Sequence, residues 1–526
     1  MQPNQNIEIN YEFEQAFNII ENSNRNLLLL GKAGTGKSTF LQYLRSHTKK
    51  NIALLAPTGV ASINIQGMTI HSFFGFSIDI TLDKVKRYAK THRVRKLLQK
   101  LDTIIIDEIS MVRADLLDCV NKFLMLNSRH FGQLFGGIQM VFIGDLYQIP
   151  PVVKSDLAHF FKTQYASPYF FSSKVFQENK DSFELIEFEK IYRQRDQRFI
   201  EILNAIRNNS VTTQHFAILN QRLQPNFEPS KEDFWLYITG TNAAVKKIND
   251  IELAKISRPA KTYFAIVEGK INQESFPTDA ELKLKVGAQV MMVNNDSAKR
   301  WVNGTIGQIV AINQDKEKQV DAIAVKLADS EVVNVFPEEW DVFKYDFNEE
   351  KNTLTTIKTG SFVQYPLRLA WAITVHKSQG KTFDNIIVNL GMTFTPGQMY
   401  VALSRCTSLE GLVLKSKVAP HNVFIDHRIV DFVTNFQYQK AEIALPLNVK
   451  IELIKDAITK KQRLKIIYLK AKDEKSHRII EPTFVGEIEY QNKKFIGVGG
   501  LCVLRNESRA FRLDRILDIK VIEKVC

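Results

Sequence analysis

Cysteine is scarce in this chain: Cys119, Cys406, Cys502 and Cys526 are the only four in 526 residues. No CxxC pair occurs, and no Cys/His cluster has zinc-ligand spacing, so neither a disulfide framework nor a structural zinc is expected. A reducing compartment, the cytoplasm, is the expected location. No apolar run approaches the roughly 18 residues of a membrane span, so no membrane partner is expected. The opening MQPNQNIEINYEFEQ lacks the basic start and apolar core of a secretory signal. Repeats and low-complexity tracts are also absent, which leaves no ground for a solenoid or a disordered tail.

What is present is length and positive charge. A single core stops growing at roughly 250–300 residues, so the chain must hold several domains. Its 70 Lys+Arg against 57 Asp+Glu give +13, a balance that favours anionic partners such as nucleic acid. Charge alone does not separate such a protein from one with a merely basic surface.

Continuous apolar runs at 26–30, 51–56, 103–107 and 139–145 read as parallel strands buried on both faces. Helical patterns between them point to a doubly wound α/β domain. Runs at 183–188, 234–239 and 385–390 read as a second α/β layer. Between these, residues 255–365 alternate and carry turn signals, as a small β-barrel or sandwich does. A polar stretch at 437–449 then separates the last segment, 447–526, whose 18 Lys+Arg and 11 Asp+Glu supply +7 of the total.

The sharpest motif is GKAGTGKS, from Gly31 to Ser38, placed after a strand and before a helix. In such a loop the backbone N–H groups of Gly34, Thr35, Gly36, Lys37, Ser38 and Thr39 wrap phosphates, and the helix N-terminus adds its positive end. Lys37 reaches the outer phosphates of ATP, and the Ser38 hydroxyl ligates Mg2+. Asp107 and Glu108 end an apolar strand, where ligands of open α/β sheets bind. Asp107 is the expected second magnesium contact, and Glu108 the base that orients and deprotonates water. GDLYQIPP, from Gly144 to Pro151, follows the next strand. Its Gln148 reads equally as a γ-phosphate sensor and as part of an ordinary strand exit.

Beyond these motifs the chain resembles the Pif helicases, in the RecD-like branch of superfamily one, over residues 9–436. The resemblance is carried in order by Glu14-Gln15, APTGVASINIQGMTIHSFF (56–74), DEISMVRADLLD (107–118), GDLYQIPPV (144–152), YRQRD (192–196), TGTNAAVKKIN (239–249), LKVGAQVMMVNND with WVNGTIG, LRLAWAITVHKSQGKTFD (367–384) and GQMYVALSRC (397–406). Ile149 stands where that family usually has Leu. The resemblance implies two RecA-like P-loop NTPase domains that clamp ATP between them. Lys37, Ser38, Asp107, Glu108 and Gln148 come from the first, and the arginine fingers Arg193 and Arg405 from the second. It further implies adenine contact by Gln15 and a nucleotide contact at Gly380. Single-stranded DNA contacts are implied at Thr58, His71, Phe73, Asn242, His376, Ser378 and Gln379. His71 and Phe73 also fit a packed core, the commoner fate of both residue types. The basic stretch 84–100 falls where the family has a small wedge element, and it reads equally as a solvated helix face.

The last segment resembles a WYL domain, through KIIYLK (465–470), RIIEP (478–482), FIGVGG (495–500) and RAFRLDRI (509–516). FIGVGG stands near the place of the tryptophan-tyrosine-leucine string that names that family. The resemblance implies a nucleic-acid or nucleotide ligand, for which Arg478, Arg509, Arg512 and Arg515 present guanidiniums. Strand alternation through FRLDRI puts Arg512 and Asp514 on one face and Leu513 and Arg515 on the other, so an arginine–Asp514 pair is the structural alternative.

The expected architecture is therefore α/β, with four parts. The first RecA-like domain spans 1–178, with a wedge-like insertion at about 75–100. The second spans 179–254 and 366–436, a β-barrel insertion occupies 255–365, and a β-rich WYL-like domain occupies 447–526. The expected activity is DNA-stimulated ATP hydrolysis by a monomer acting on single-stranded, duplex or forked DNA, with 5′-to-3′ polarity inherited from the resemblance alone. An ATP-switched DNA-binding protein that does not unwind is the alternative.

Overall fold

The apolar runs of the first half become strands buried on both faces. The computed structural model describes residues 9–77, 79–89, 92–153, 157–194, 196–230, 233–269, 276–348, 353–391, 395–470, 473–490 and 493–522. Cys526 and the first eight residues fall outside that set. The chain divides into two compact units, residues 1–206 with 211–424, and residues 207–210 with 425–526.

In the first unit, β1 (Asn26–Gly31), β2 (Ile52–Ala56), β3 (Met68–Thr69), β4 (Thr103–Ile106), β5 (Gln139–Gly144) and β6 (Phe183–Phe188) form one sheet. Its order is β3-β2-β4-β5-β1-β6, and every pairing is parallel. The helix Lys37–His47 packs Phe40, Leu41 and Leu44 against Leu27, Leu29, Leu54 and Ile105, which are all buried. Leucine and isoleucine at adjacent strand positions bury both faces, which is why these runs are continuous rather than alternating.

The 183–188 strand was expected in the second layer, and the structure corrects this. It pairs with β1 from Asn26↔Phe183 to Gly31↔Phe188. Side-chain packing decides the matter: Phe188 meets Phe40 edge-on at 5.6 Å and stacks on Phe13 at 6.1 Å. No strand pattern shows which sheet it will join.

The second sheet is also parallel. It holds β7 (Leu236–Thr239), β8 (Ala372–Thr374), β9 (Ile386–Asn389) and β10 (Leu412–Leu414) in the order β8-β7-β9-β10. Between β7 and β8 the chain builds antiparallel structure. A five-stranded sheet runs Val332–Val335, Val320–Leu327, Ile306–Asp315, Gln289–Met292, Leu367–Leu369. One core joins it to the Glu281–Leu284 strand, with Leu282, Leu284, Val290, Ile309, Val325 and Val335 buried together. A long hairpin, Glu338–Asn348 with Thr353–Gln364, extends from this region. Its Tyr345 hydroxyl accepts a hydrogen bond from the Leu54 N–H at 3.0 Å, so the insertion touches the first sheet.

The second unit is a five-stranded antiparallel sheet with two helices, His427–Ala444 and Leu447–Thr459. The strand order is Glu507–Arg512, Lys493–Cys502, Glu474–Tyr490, Arg463–Lys470, Ile516–Ile522. Ile454 and Ala457 pack on Leu464, Ile466, Ile480 and Val498. Residues 207–210 complete this unit: Arg207 pairs with Asp473 at 3.4 Å, with side chains 3% and 2% exposed. Gln437 also donates to Asp473, at 3.0 Å. The polar 437–449 stretch is thus no linker. It ends one helix and starts the next on either side of Pro446, with Gln437 and Ala441 continuing the buried stripe begun by Val433 and Phe436. Nor does strand alternation run through FRLDRI. Leu513–Arg515 is a 3-10 turn that sends Leu513 into the core.

Candidate nucleotide site and nucleic-acid interface

The phosphate-binding loop leaves β1 at Gly31 and enters its helix at Lys37. Gly34 and Gly36 hold φ of +79° and +89°, where a side chain is strained. A Cβ on Gly34 would also stand 2.4 Å from Arg193 Cβ, so the loop is closely covered by the 192–193 segment. The Tyr192 N–H donates to Gly34 O at 2.8 Å. Lys37 Nζ donates to Gly31 O at 2.7 Å and Lys32 O at 2.9 Å, folded into the loop's own concavity. Burial lowers its pKa, against the opposing charges of Asp145, Glu108 and Asp107. The buried Thr35 hydroxyl donates to Lys32 O at 2.9 Å, while Ser38 and Thr39 lie exposed on the first helical turn. Gln15 sits exposed on the helix Tyr11–Asn22 and donates to the Tyr11 hydroxyl.

Asp107 and Glu108 follow β4 directly. Glu108 takes φ 50° and ψ 45°, a left-handed conformation that non-glycine residues adopt mainly where the surroundings impose it. The turn aims two adjacent carboxylates into one recess. Burial, then the neighbouring Asp107 charge, raises the Glu108 pKa to about 7. Burial likewise raises Asp107, partly offset by a backbone hydrogen bond and by Lys37. A carboxylate held near neutrality is suited to take a proton from water.

The Gly144–Pro151 turn brings Gln148 to the same recess, 6% exposed, with its Nε2 donating to Asp145 Oδ2 at 3.2 Å. Gln379, expected on the DNA track, donates to Gln148 Oε1 at 3.5 Å and so faces the nucleotide side.

The loop after β6 and the segment after the helix Gln398–Leu403 supply the arginines. Arg405 follows the helix Gln398–Leu403 and is 1% exposed. Its Nε donates to Val401 O at 2.9 Å, one Nη to the Ser404 hydroxyl at 2.8 Å, and the other to Ser378 O at 3.4 Å. Arg193 donates to Ser404 O at 3.4 Å and to Gly380 O at 3.3 Å. Burial, together with the nearby Arg193 charge, pushes the Arg405 pKa down. A buried guanidinium and a half-buried one, both held chiefly by carbonyls, are set to gain from an arriving anion.

Sequence reasoning missed two contributors. Asp145 is 1% exposed and accepts from Gln148 and from the Tyr147 N–H at 3.2 Å. Tyr400, on the helix that precedes Arg405, accepts from the Ala33 N–H of the loop at 3.1 Å. The available signal was a tyrosine inside an otherwise apolar helix, five residues before the arginine.

The expected DNA contacts divide. Thr58 caps the helix Gly59–Asn64, accepting from the Ala61 N–H at 3.2 Å. Asn242 is exposed at the start of the helix Asn242–Ala254. His71 and His376 are half-buried, and burial lowers both pKa values, so neutral rings are presented at ordinary pH. Two candidates are corrected. Phe73 is 6% exposed and packs edge-on with Phe74 at 4.9 Å and Tyr345 at 5.8 Å, leaving no open face for a base. Ser378 is 0% exposed, and its hydroxyl donates to Val375 O at 2.7 Å. The 84–100 stretch is no simple solvated face either. Leu97 and Leu98 are buried, and Arg95 donates to Tyr88 O at 3.0 Å.

In the second unit, Arg509 pairs with Glu507 at 2.8 Å and Arg512 with Asp514 at 2.6 Å. The Arg512–Asp514 pair is the structural alternative foreseen for this motif. Arg478 and Arg515 are half-buried and form no ion pair among the described residues.

A phosphate loop and paired acids on one parallel sheet, covered by Arg193 and faced by Arg405 from beside a second parallel sheet, define a two-lobed P-loop NTPase of the RecA-like class. Comparison with known proteins narrows the class. The PIF1-like helicase family profile matches residues 8–216, the profile of the DNA helicase Pif1 2B domain matches 268–312, and the WYL domain profile matches 450–521. ATP-dependent DNA helicase Pif1 of Bdellovibrio bacteriovorus is 30% identical over 448 residues, covering 83% of this chain and 94% of the relative. Bacteroides sp Pif1 in complex with ADP-AlF4 superposes with a TM-score of 0.75 at 35% identity, over 82% of this chain and 98% of that one. Bacteroides Pif1 bound to ssDNA gives 0.59 at 36% identity, over 81% and 96%. The chain belongs to the Pif1 helicase family, and it is an ATP-dependent DNA helicase.

Proposed function

We propose that the chain moves 5′ to 3′ along single-stranded DNA and opens duplex ahead of it, with closure of the two lobes on ATP as the driving step. Polarity rests on the likeness to the family, and the observation that supports the closure step is that Arg405 lies near Glu108 while Arg193 covers the phosphate loop. An arginine supplied across a cleft stabilises developing phosphate charge only when the cleft is closed, so hydrolysis is gated by lobe position. Lys37 and the loop amides bind the β- and γ-phosphates, Glu108 accepts the water proton, and Gln148 holds that water or the γ-phosphate edge. Gln15 and Gly380 complete the nucleotide contacts.

The donor set fits a magnesium ion. Asp107 is a half-buried carboxylate at the end of β4, and the Ser38 hydroxyl is exposed at the first turn of the loop helix, an all-oxygen pair of the kind that suits a hard cation. Ser38 and Asp107 would hold the ion, which when bound supplies charge neutralisation at the phosphates.

Thr58, His71, Asn242 and His376 are proposed contacts to the DNA backbone, with neutral rings and hydroxyls gripping phosphate without reading sequence. The proposed domain division is a first lobe ending near 188, a second lobe interrupted by the β insertion of 255–365, and a regulatory C-terminal unit. Arg478 and Arg515 are the proposed contacts of that unit to an anionic nucleotide or nucleic-acid ligand. A monomer acting in the reducing cytoplasm is the proposed working form, in keeping with the buried free thiols Cys119, Cys406 and Cys502.

The test is ATP turnover with and without single-stranded DNA, followed by displacement of a strand from duplexes bearing a 5′ or a 3′ tail. Turnover stimulated by DNA with displacement only from the 5′-tailed duplex is expected. Stimulated turnover without displacement from either substrate would replace the proposal with an ATP-switched DNA-binding protein.

A further inference from the structure

The helix Gln398–Leu403 approaches the first lobe more closely than its arginine requires. It begins at Gly397, with φ +74°, and a Cβ there would stand 2.3 Å from Tyr147 O and 2.8 Å from Gln148 O. Only a glycine lets this helix start against the turn that carries Gln148. One turn along, Tyr400 is 3% exposed, and its hydroxyl lies between two groups of the opposite lobe. It accepts from the Ala33 N–H at 3.1 Å and donates to Asp145 Oδ2 at 3.2 Å. The same Asp145 oxygen accepts from Gln148 Nε2 at 3.2 Å. One phenol therefore ties the third residue of the phosphate loop to the carboxylate that orients Gln148. Its helix leads directly into Arg405.

We propose that Tyr400 is a positioning residue for ATP hydrolysis: its hydroxyl holds the phosphate loop, the Gln148 turn and the Arg405 helix in one register when the lobes meet. The hydroxyl uses both of its hydrogen-bonding roles at once, accepting from an amide and donating to a carboxylate. A ring without it packs equally well and holds neither partner. The backbone amide it engages belongs to the loop that receives the phosphates, so the link bears on the geometry of the reacting end of ATP. Adenine and ribose contacts lie outside its reach. The consequence is a defect in turnover rather than in nucleotide affinity. The link also joins the lobes, so it transmits the stimulation that DNA exerts across them.

This inference rests on the motor reading, and the experiment separates the two. Steady-state ATP hydrolysis is measured for the parent chain, Tyr400→Phe, Asp145→Asn and the double variant, each with saturating single-stranded DNA and without it. A parent that hydrolyses ATP without response to DNA defeats the motor reading itself. With a stimulated parent, Tyr400→Phe is expected to lose about tenfold in DNA-stimulated kcat, the size that one charge-assisted hydrogen bond carries. Its KM for ATP is expected to stay within about twofold, the signature of an interaction realised only in the transition state. The double variant is expected to lose no more than Asp145→Asn alone, because both changes cut one chain of contacts. An unchanged kcat in Tyr400→Phe overturns the proposal. So does a raised KM at constant kcat, or losses in the double variant that multiply. A melting temperature matching the parent's excludes misfolding.

Discussion

Replacing Glu108 by Gln keeps the shape of the side chain and removes one titration. Burial and the adjacent Asp107 raise the Glu108 pKa from 4.5 to about 7. The folded chain therefore binds a proton more tightly than the unfolded chain does. No stability is lost on this account below about pH 4.5, the loss grows from there to about pH 7, and it is complete above. At 1.36 kcal/mol per tenfold the displacement amounts to about 3 kcal/mol. An uncharged Gln escapes it. The variant is thus expected to melt above the parent at pH 8 and close to it at pH 5, when nucleotide-free protein is followed by scanning calorimetry. Turnover moves the other way. Loss of a general base lowers DNA-stimulated hydrolysis by roughly 10²–10⁴. In the parent, kcat/KM for ATP should rise with pH through about 7, the value of the free enzyme, and that limb should vanish in the variant. A Gln variant that melts below the parent at pH 8, or that keeps the rising limb, refutes the assignment of both the burial and the base.

Arg405→Ala and Arg193→Ala should each reduce turnover by about 10³ while ATP analogue binding, read by fluorescence titration, changes far less. Gly397→Ala forces a Cβ to 2.3 Å from Tyr147 O, so it should depress ATP turnover while DNA binding measured without nucleotide is kept. Phe73→Leu should leave single-stranded DNA affinity within about twofold, whereas Phe73→Ala should cost about 3–5 kcal/mol in stability, as expected of a packed ring. A large loss of DNA affinity in the Leu variant would restore Phe73 to the DNA track. Asp473→Ala removes the buried carboxylate that pairs with Arg207 and should destabilise the second unit by about 3–5 kcal/mol, seen as proteolysis within residues 425–522 at lower temperature.

Much of the site was legible from local chemistry. The loop from Gly31 to Ser38 needs glycines at left-handed positions and a lysine at the helix start, and those demands are met by neighbours in sequence. Asp107-Glu108 after four apolar residues is likewise local, whereas Arg193 and Arg405 came from the resemblance to a family. Both parallel sheets followed from continuous apolar runs, and the β insertion from alternation. The limits of that reading are equally physical. A strand's own pattern is the same whichever sheet edge it joins, so β6 was assigned to the wrong layer. Polar composition masked the helical stripe where it continues through Gln437 and Ala441. Aromatic and hydroxyl residues in a DNA-side motif do not announce which way they point, so Ser378 was read outward though it is buried, and Phe73, left open between DNA and core, takes the core.

The sequence by itself determined the core of the chemistry, because the phosphate loop and the paired acids are each defined by residues close along the chain. Only the tertiary structure decided how those parts meet. Tyr400 lies 367 residues from Ala33 and Asp145 lies 255 residues from Tyr400. Nothing in either segment's local pattern encodes the other. Their shared hydrogen bonds exist because two separately closed sheets bring their edges together, and contact between surfaces is a property of packing that no local propensity carries.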